Sequence, residues 1–274
     1  MINKKIIILG VNADIGMNLC LFYLEDGYQV IGTYRSENEN YERLKNCNNL
    51  YLVQCDLTVK TEMPKLINVV EKYKFDWDCI FSSVGTSKPI GRFFDLDFDT
   101  WSSSVDINSI AQLRAIHALY PYRNINTINT IALLAGGGTN NPFRCYSAYC
   151  VAKIMLIKMC ELLDDENPEL NVFIVGPGFV RTKTHLETLS AGELAEDNLS
   201  RVQDFWDSKA QGTSMRDIYE CIQWLTVQGR SVAGGRNFSV VHDQWGREKL
   251  SLDLKATPEM YKLRRFANDK RILL

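Results

Sequence analysis

What the chain lacks narrows it first. No apolar run is long enough to cross a bilayer as a helix, and the densest burst, Ile6 to Leu9, has the length of a strand. Lys4 and Lys5 precede an apolar stretch too short for a secretory leader and without a small-residue cleavage pattern, so the expected compartment is cytoplasmic. A dominant charge is missing as well. The 31 basic and 33 acidic side chains leave a formal net charge of −2, which gives no general attraction to nucleic acid or to an anionic membrane. The eight cysteines (Cys20, Cys47, Cys55, Cys79, Cys145, Cys150, Cys160 and Cys221) form no CxxC pair, and several lie in apolar segments. They read as reduced thiols acting as small hydrophobes. His117, His185 and His242 have no ligand-like spacing, so no metal site is expected.

What is present is alternation. Apolar runs predict strands over 5–9, 28–33, 50–54, 79–82, 130–134, 171–175 and 237–241. Between them, helical spacing predicts helices over 14–23, 37–45, 63–73, 101–117, 149–163, 199–210 and 215–225. No repeat and no linker rich in Pro, Gly or Ser interrupts the series. The expected architecture is a single Rossmann-type three-layer α/β sandwich with a doubly wound parallel sheet, spanning 1–245. The polar stretch 246–274 reads as an extension packed on the body or on a partner subunit.

The first strand runs into Gly10-Val11-Asn12-Ala13-Asp14-Ile15-Gly16, which opens a helix. Gly10 can take backbone angles closed to other residues, and Gly16 allows close approach of the helix to the sheet or to a dinucleotide. The free amides at the helix start suit a pyrophosphate, which makes Gly10, Asn12, Asp14, Ile15 and Gly16 candidate cofactor contacts. Asp14 is expected to cap the helix, with its carboxylate turned away from the diphosphate. A tight turn with no ligand is the plainer alternative. Strand two ends in Tyr34-Arg35, where a chain selecting NAD usually has an acid. Arg35 suits a 2′-phosphate, so NADP is favoured over NAD, with an ordinary surface cation as the alternative. Asp56 and Leu57, at the end of strand three, are candidates for the adenine; a local cap with Thr58 is the other reading of Asp56.

Tyr149 and Lys153 stand four apart on one helical face. A nearby ammonium would favour the phenolate and make Tyr149 a proton donor and acceptor for a ketone and its alcohol, while a chance helix pair is the plainer reading. With this pair placed after the fifth strand, the whole chain resembles the short-chain dehydrogenase/reductase family. The opening motif of that family matches at Gly10 and Gly16 and departs at Leu9 and Asp14. The strand-three acid falls on Asp56, and the Asn-Asn-Ala-Gly element is altered to Ser82-Ser83-Val84-Gly85 with Gly85 matching. The resemblance further implies a proton-relay role for Asn108, ribose contact by Lys153, and nicotinamide contact by Pro177, Gly178 and Thr182. A substrate lid over about 182–210 and pairing of subunits into a dimer or tetramer are implied too. Ile110, Leu113, Ile154 and Leu156 look surplus to one sheet face.

The family's catalytic serine is absent. Its position falls on Gly136 or, by resemblance to a bacterial branch with a glycine-rich loop, on Ala135, and neither carries a hydroxyl. Thr139 is the candidate substitute. Arg181 and Lys183 suit an anionic substrate or are solvated charges. The expected function is NADP-dependent interconversion of a ketone and a secondary alcohol on a small polar, sugar-like substrate. A dinucleotide-binding sensor or partner-binding protein that has lost turnover is the alternative.

Overall fold

Continuously apolar strands need both sheet faces covered. Seven of them form one parallel sheet: β1 (Lys5–Leu9), β2 (Gln29–Tyr34), β3 (Leu50–Gln54), β4 (Cys79–Ser82), β5 (Asn129–Leu134), β6 (Leu170–Gly176) and β7 (Asn237–Ser239). Their spatial order is β3-β2-β1-β4-β5-β6-β7. The computed structural model describes residues 4–208 and 212–265. β1 shows the layering by its alternation: Ile6 and Ile8 enter one apolar core, Ile7 and Leu9 the other. The first core is closed by α1 (Asp14–Glu25), α9 (Met215–Gln228), α10 (Arg230–Ala233) and α11 (Glu248–Ala256). The second is closed by α3 (Met63–Lys72), α5 (Ala111–Leu119) and α6 (Ser147–Glu166). This is the expected Rossmann-type sandwich. The order of the strands reverses between β1 and β4, and that switch point opens a crevice at the carboxyl ends of the strands. Among the described residues no helix is long and apolar enough to cross a membrane.

The helix expected over 101–117 is divided. α4 (Phe98–Val105) and α5 flank a π-helical segment, Asp106–Ile110. Side chains explain the widened turn. Asn108 Nδ2 donates to the Ser104 carbonyl at 2.9 Å and Gln112 Nε2 to the Asn108 carbonyl at 2.8 Å, so two carbonyls that a straight helix gives to backbone amides are taken by amide side chains one turn later. Of the apolar residues expected to be surplus, Leu156 is instead fully buried in the core, Leu113 and Ile154 pack against it, and Ile110 alone is exposed.

Besides the single turn of α10, two longer helices escaped the sequence reading. α7 (Lys183–Ala191) precedes α8 (Asp197–Asp207) over the crevice; the helix expected over 199–210 is α8, and Ala210 lies outside the described residues. The other is α11 in the polar carboxyl-terminal stretch, where Leu250 and Leu254 reach the core one turn apart. Arg236 fastens this stretch. It is 4% exposed, and its guanidinium donates to the carbonyls of Val232 (2.8 Å), Leu254 (2.8 Å) and Met260 (3.0 Å). Burial pulls its pKa down.

Candidate active site

A continuous cleft of about 1710 Å³ runs along the carboxyl ends of the strands. At one end lies the turn after β1. Gly10 has φ 76°, and a Cβ there would meet Val84 Cγ2 at 2.9 Å. Gly16 sits against the sheet, since a Cβ on it would press on the Gly10 carbonyl and on Ser83; its own amide donates to Ser83 Oγ at 3.0 Å. The Asp14 and Ile15 amides at the start of α1 donate to no acceptor among the described residues, as expected for the first turn of a helix. Asn12 ties this turn to the loop after β2: its Nδ2 donates to the Ser36 carbonyl (2.7 Å) and its carbonyl accepts from Asn38 and Asn40 (3.1 and 3.2 Å).

Asp14 departs from expectation. The residue before the helix is Ala13, and the Asp14 side chain does not cap α1. Its carboxylate faces the cleft and accepts from Asn40 Nδ2 (3.1 Å) and from the Lys183 amide (2.8 Å), because α7 begins opposite it. Tyr34 closes the end of β2, its ring 4.7 Å from that of Tyr41. The exposed Arg35 guanidinium lines the cleft without an ion pair among the described residues. Asp56 makes the local turn: its Oδ1 accepts from the Thr58 amide (3.0 Å) and hydroxyl (2.7 Å). The Leu57 carbonyl accepts from Arg114 at 2.8 Å.

At the other end, Tyr149 and Lys153 project from the first turns of α6. Lys153 is 4% exposed; its Nζ donates to the Leu134 carbonyl at 2.8 Å and lies 5.6 Å from the Tyr149 ring centre. Burial brings the Lys153 ammonium down to about 8. Burial also pushes the partly buried Tyr149 phenol above its usual value, and Cys150 and Glu187 add to the rise. The phenol therefore keeps its proton at neutral pH. Asn108 is fully buried beside this pair. Its Oδ1 accepts from the Thr86 amide (3.0 Å), its Nδ2 donates to the Thr86 carbonyl (2.9 Å), and Gly85 faces both Asn108 and Lys153.

The position of the absent serine is filled. A Cβ built on Gly136 falls within the van der Waals envelope of the Tyr149 hydroxyl, so the phenol occupies space that a side chain there would need. Ala135 is buried in the core. Thr139 lines the cleft, but its hydroxyl donates to the Gly136 carbonyl at 3.2 Å, which leaves it an acceptor toward the cleft.

The turn after β6 carries Pro177, Gly178 and Thr182. Gly178 has φ 76° and is pressed by Val241 and Thr213. Arg181 reaches the carbonyls of Phe205 (3.3 Å), Trp206 (3.0 Å) and Ser208 (2.6 Å), so it caps the end of α8. His185 stacks on Phe179 at 5.3 Å, and burial pulls its pKa down. Sequence reasoning missed Glu187. It is 6% exposed, lines the cleft, and accepts from the Thr86 hydroxyl (3.0 Å) and from the Ser87 amide (2.7 Å) and hydroxyl (2.8 Å). The signal was a lone acid in an unassigned helix, too little to single it out.

Residues 4–191 match the family described as short chain dehydrogenase. An uncharacterized oxidoreductase of Saccharomyces cerevisiae, YIR035C, is 25% identical over 183 residues, covering 65% of this chain and 71% of its own. The crystal structure of that yeast protein superposes with a TM-score of 0.78 at 21% identity, over 90% of this chain and 98% of the other. A 4-hydroxyisoleucine dehydrogenase complexed with NADH superposes with a TM-score of 0.71 at 23% identity, over 86% and 96%. With more than half its length inside the family match, and with the strand order and crevice that go with it, this chain belongs to the short-chain dehydrogenases, a family of nicotinamide-dinucleotide oxidoreductases.

Proposed function

We propose that the protein is an NADP-dependent oxidoreductase that interconverts a ketone and a secondary alcohol on a small polar substrate. The observation that carries this is the Tyr149–Lys153 pair at the deep end of the cleft, beside Asn108, with the phenol holding its proton at neutral pH. The residues at the other end fit a dinucleotide. Among the described residues the amides of Asp14 and Ile15 have no acceptor and Arg35 has no ion pair; the amides suit a diphosphate, Gly10 lets the backbone come close, and the Arg35 cation suits a 2′-phosphate. Asn12, Tyr34, Asp56, Leu57, Gly85 and the turn with Pro177, Gly178 and Thr182 complete that wall, and Gly16 lets α1 pack close behind it.

When bound, the nicotinamide ring supplies or takes the hydride. Tyr149 Oη delivers its proton to the carbonyl oxygen in reduction and takes it back from the alcohol in oxidation. Lys153, charged below about pH 8, binds the cofactor's ribose and favours the phenolate left behind. Asn108 supports the proton relay, holding the Thr86 backbone against the helix and the floor of the site in place. Thr139 contributes an acceptor to a substrate hydroxyl. The apolar wall of Ile90, Phe143 and Tyr146 beside Tyr149 excludes water from the proton's path.

The missing hydroxyl at Ala135 and Gly136 favours one other reading, a protein that binds dinucleotide without turnover. One experiment separates the two. NADPH oxidation is followed with a panel of sugar-derived and small polar ketones, for the wild type and for Tyr149→Phe. Turnover that falls about 10² to 10⁴-fold in the variant, with NADPH affinity kept, is the expected result. Turnover unchanged by the substitution removes the mechanism, and NADPH binding with no turnover on any ketone favours the sensor. Assembly into a dimer or tetramer through the helical segments that carry Asn108 and Tyr149, where Ile110 and Val151 are exposed, belongs to the same proposal and is read by sedimentation.

A further inference from the structure

α7 begins in space where the phosphate-binding turn ends. Its first amide, Lys183 N–H, donates to Asp14 Oδ2 at 2.8 Å, although the two residues are 169 apart in the chain. The second carboxylate oxygen accepts from Asn40 Nδ2 at 3.1 Å. Asp14 thus bridges the starts of α1 and α7. Both helix ends present amides without a backbone acceptor and a partial positive charge, the surroundings in which a diphosphate is stable. Here the anion is supplied by the chain itself.

Nothing else in the turn requires an acid. Asp14 does not cap its own helix, and it makes no ion pair among the described residues. The residue it holds, Lys183, opens the helix that carries Glu187 over the catalytic end. One carboxylate therefore links the grip on the phosphates to the position of the substrate cover.

We propose that Asp14 is a built-in competitor of the cofactor's diphosphate. This rests on the dinucleotide-binding reading given above. Two anions side by side repel, and the Lys183 amide has one hydrogen to give. Binding of the diphosphate displaces Asp14 from Lys183 and frees the first turn of α7 from α1, while Glu187 keeps the next turn on Thr86 and Ser87. Asp14 in this way lowers affinity for the cofactor and ties its arrival to a shift at the edge of the substrate site. A plain tether between α1 and α7 would make the opposite prediction for affinity, since losing it would loosen the site.

The test compares wild type, Asp14→Asn, which keeps the shape and removes the charge, and Asp14→Gly, which removes both. Calorimetry measures binding of NADPH and of adenosine 2′-monophosphate, which lacks the diphosphate. Hydrogen exchange measures protection of the Lys183 amide without nucleotide. NADPH is expected to bind about tenfold tighter to both variants, with adenosine 2′-monophosphate unchanged and the Lys183 amide exchanging faster in Asp14→Gly. NADPH affinity that is unchanged or weaker in Asp14→Asn overturns the competitor role while leaving the dinucleotide reading intact. NADPH binding to none of the three proteins overturns that reading and the competitor role with it. Asp14→Asn keeps the test standing if the glycine variant folds poorly.

Discussion

Between Gly10 and Asn40 the wall of the cleft is made by two neighbouring turns, their backbone amides and three asparagines within 28 residues of one another. Between Thr86 and Glu187 it is made by side chains that meet across 100 residues of chain. The first end is built from backbone geometry, so a side-chain change there alters affinity in small steps. The second is built from side-chain atoms at fixed places, where a displacement of one ångström moves the chemistry itself. Binding and catalysis are therefore separable by substitution in this cleft.

Gly136→Ser puts the comparison under the greatest strain. By composition it restores the hydroxyl that the family has; by geometry its Cβ displaces the Tyr149 hydroxyl. The expected outcome is a loss of about 10² in kcat, with NADPH affinity little changed, measured by steady-state kinetics and calorimetry. A rise in kcat would show that the phenol has room to retreat. Arg35→Ala acts at the other end. NADPH affinity is expected to fall about tenfold, as for one lost charge-assisted hydrogen bond at an exposed site, with NADH affinity unchanged. An equal effect on both cofactors would remove Arg35 from the 2′-phosphate.

The smallest effect concerns Lys153 and stability. Its folded pKa of about 8 lies below the ordinary 10.5, so folding carries a penalty below pH 8 that disappears as pH rises to 10.5. Lys153→Met removes the penalty. The melting temperature of the variant relative to wild type is expected to be highest near pH 7 and to decline across that window. A difference independent of pH would mean that the ammonium is better solvated than its burial implies.

The same contrast explains what could be read from the residues. The sheet was legible because seven apolar runs and the glycines at their ends record short-range rules. Tyr149 and Lys153 were legible because helical spacing places them on one face. The role of Asp14 was misread because its partner, Lys183, is set by the path of α7 and by no local pattern. Glu187 and α7 were missed for the same reason. The division of the long helix at Asp106–Ile110 depends on Asn108 and Gln112 bonding back to carbonyls, a competition that apolar periodicity does not register. Leu250 and Leu254 did carry a helical signal, hidden among charged neighbours.

Arg236 has a consequence for how the molecule comes apart. Its guanidinium gathers carbonyls from the end of α10, from α11 and from Met260, and among the described residues it forms no ion pair, with Asp164 and Glu259 acting on it only from a distance. If α11 peeled away alone, a buried cation would keep only part of its acceptors, a costly halfway state. The stretch from α11 to Met260 and the β7 edge of the sheet are therefore expected to open together, as one cooperative unit.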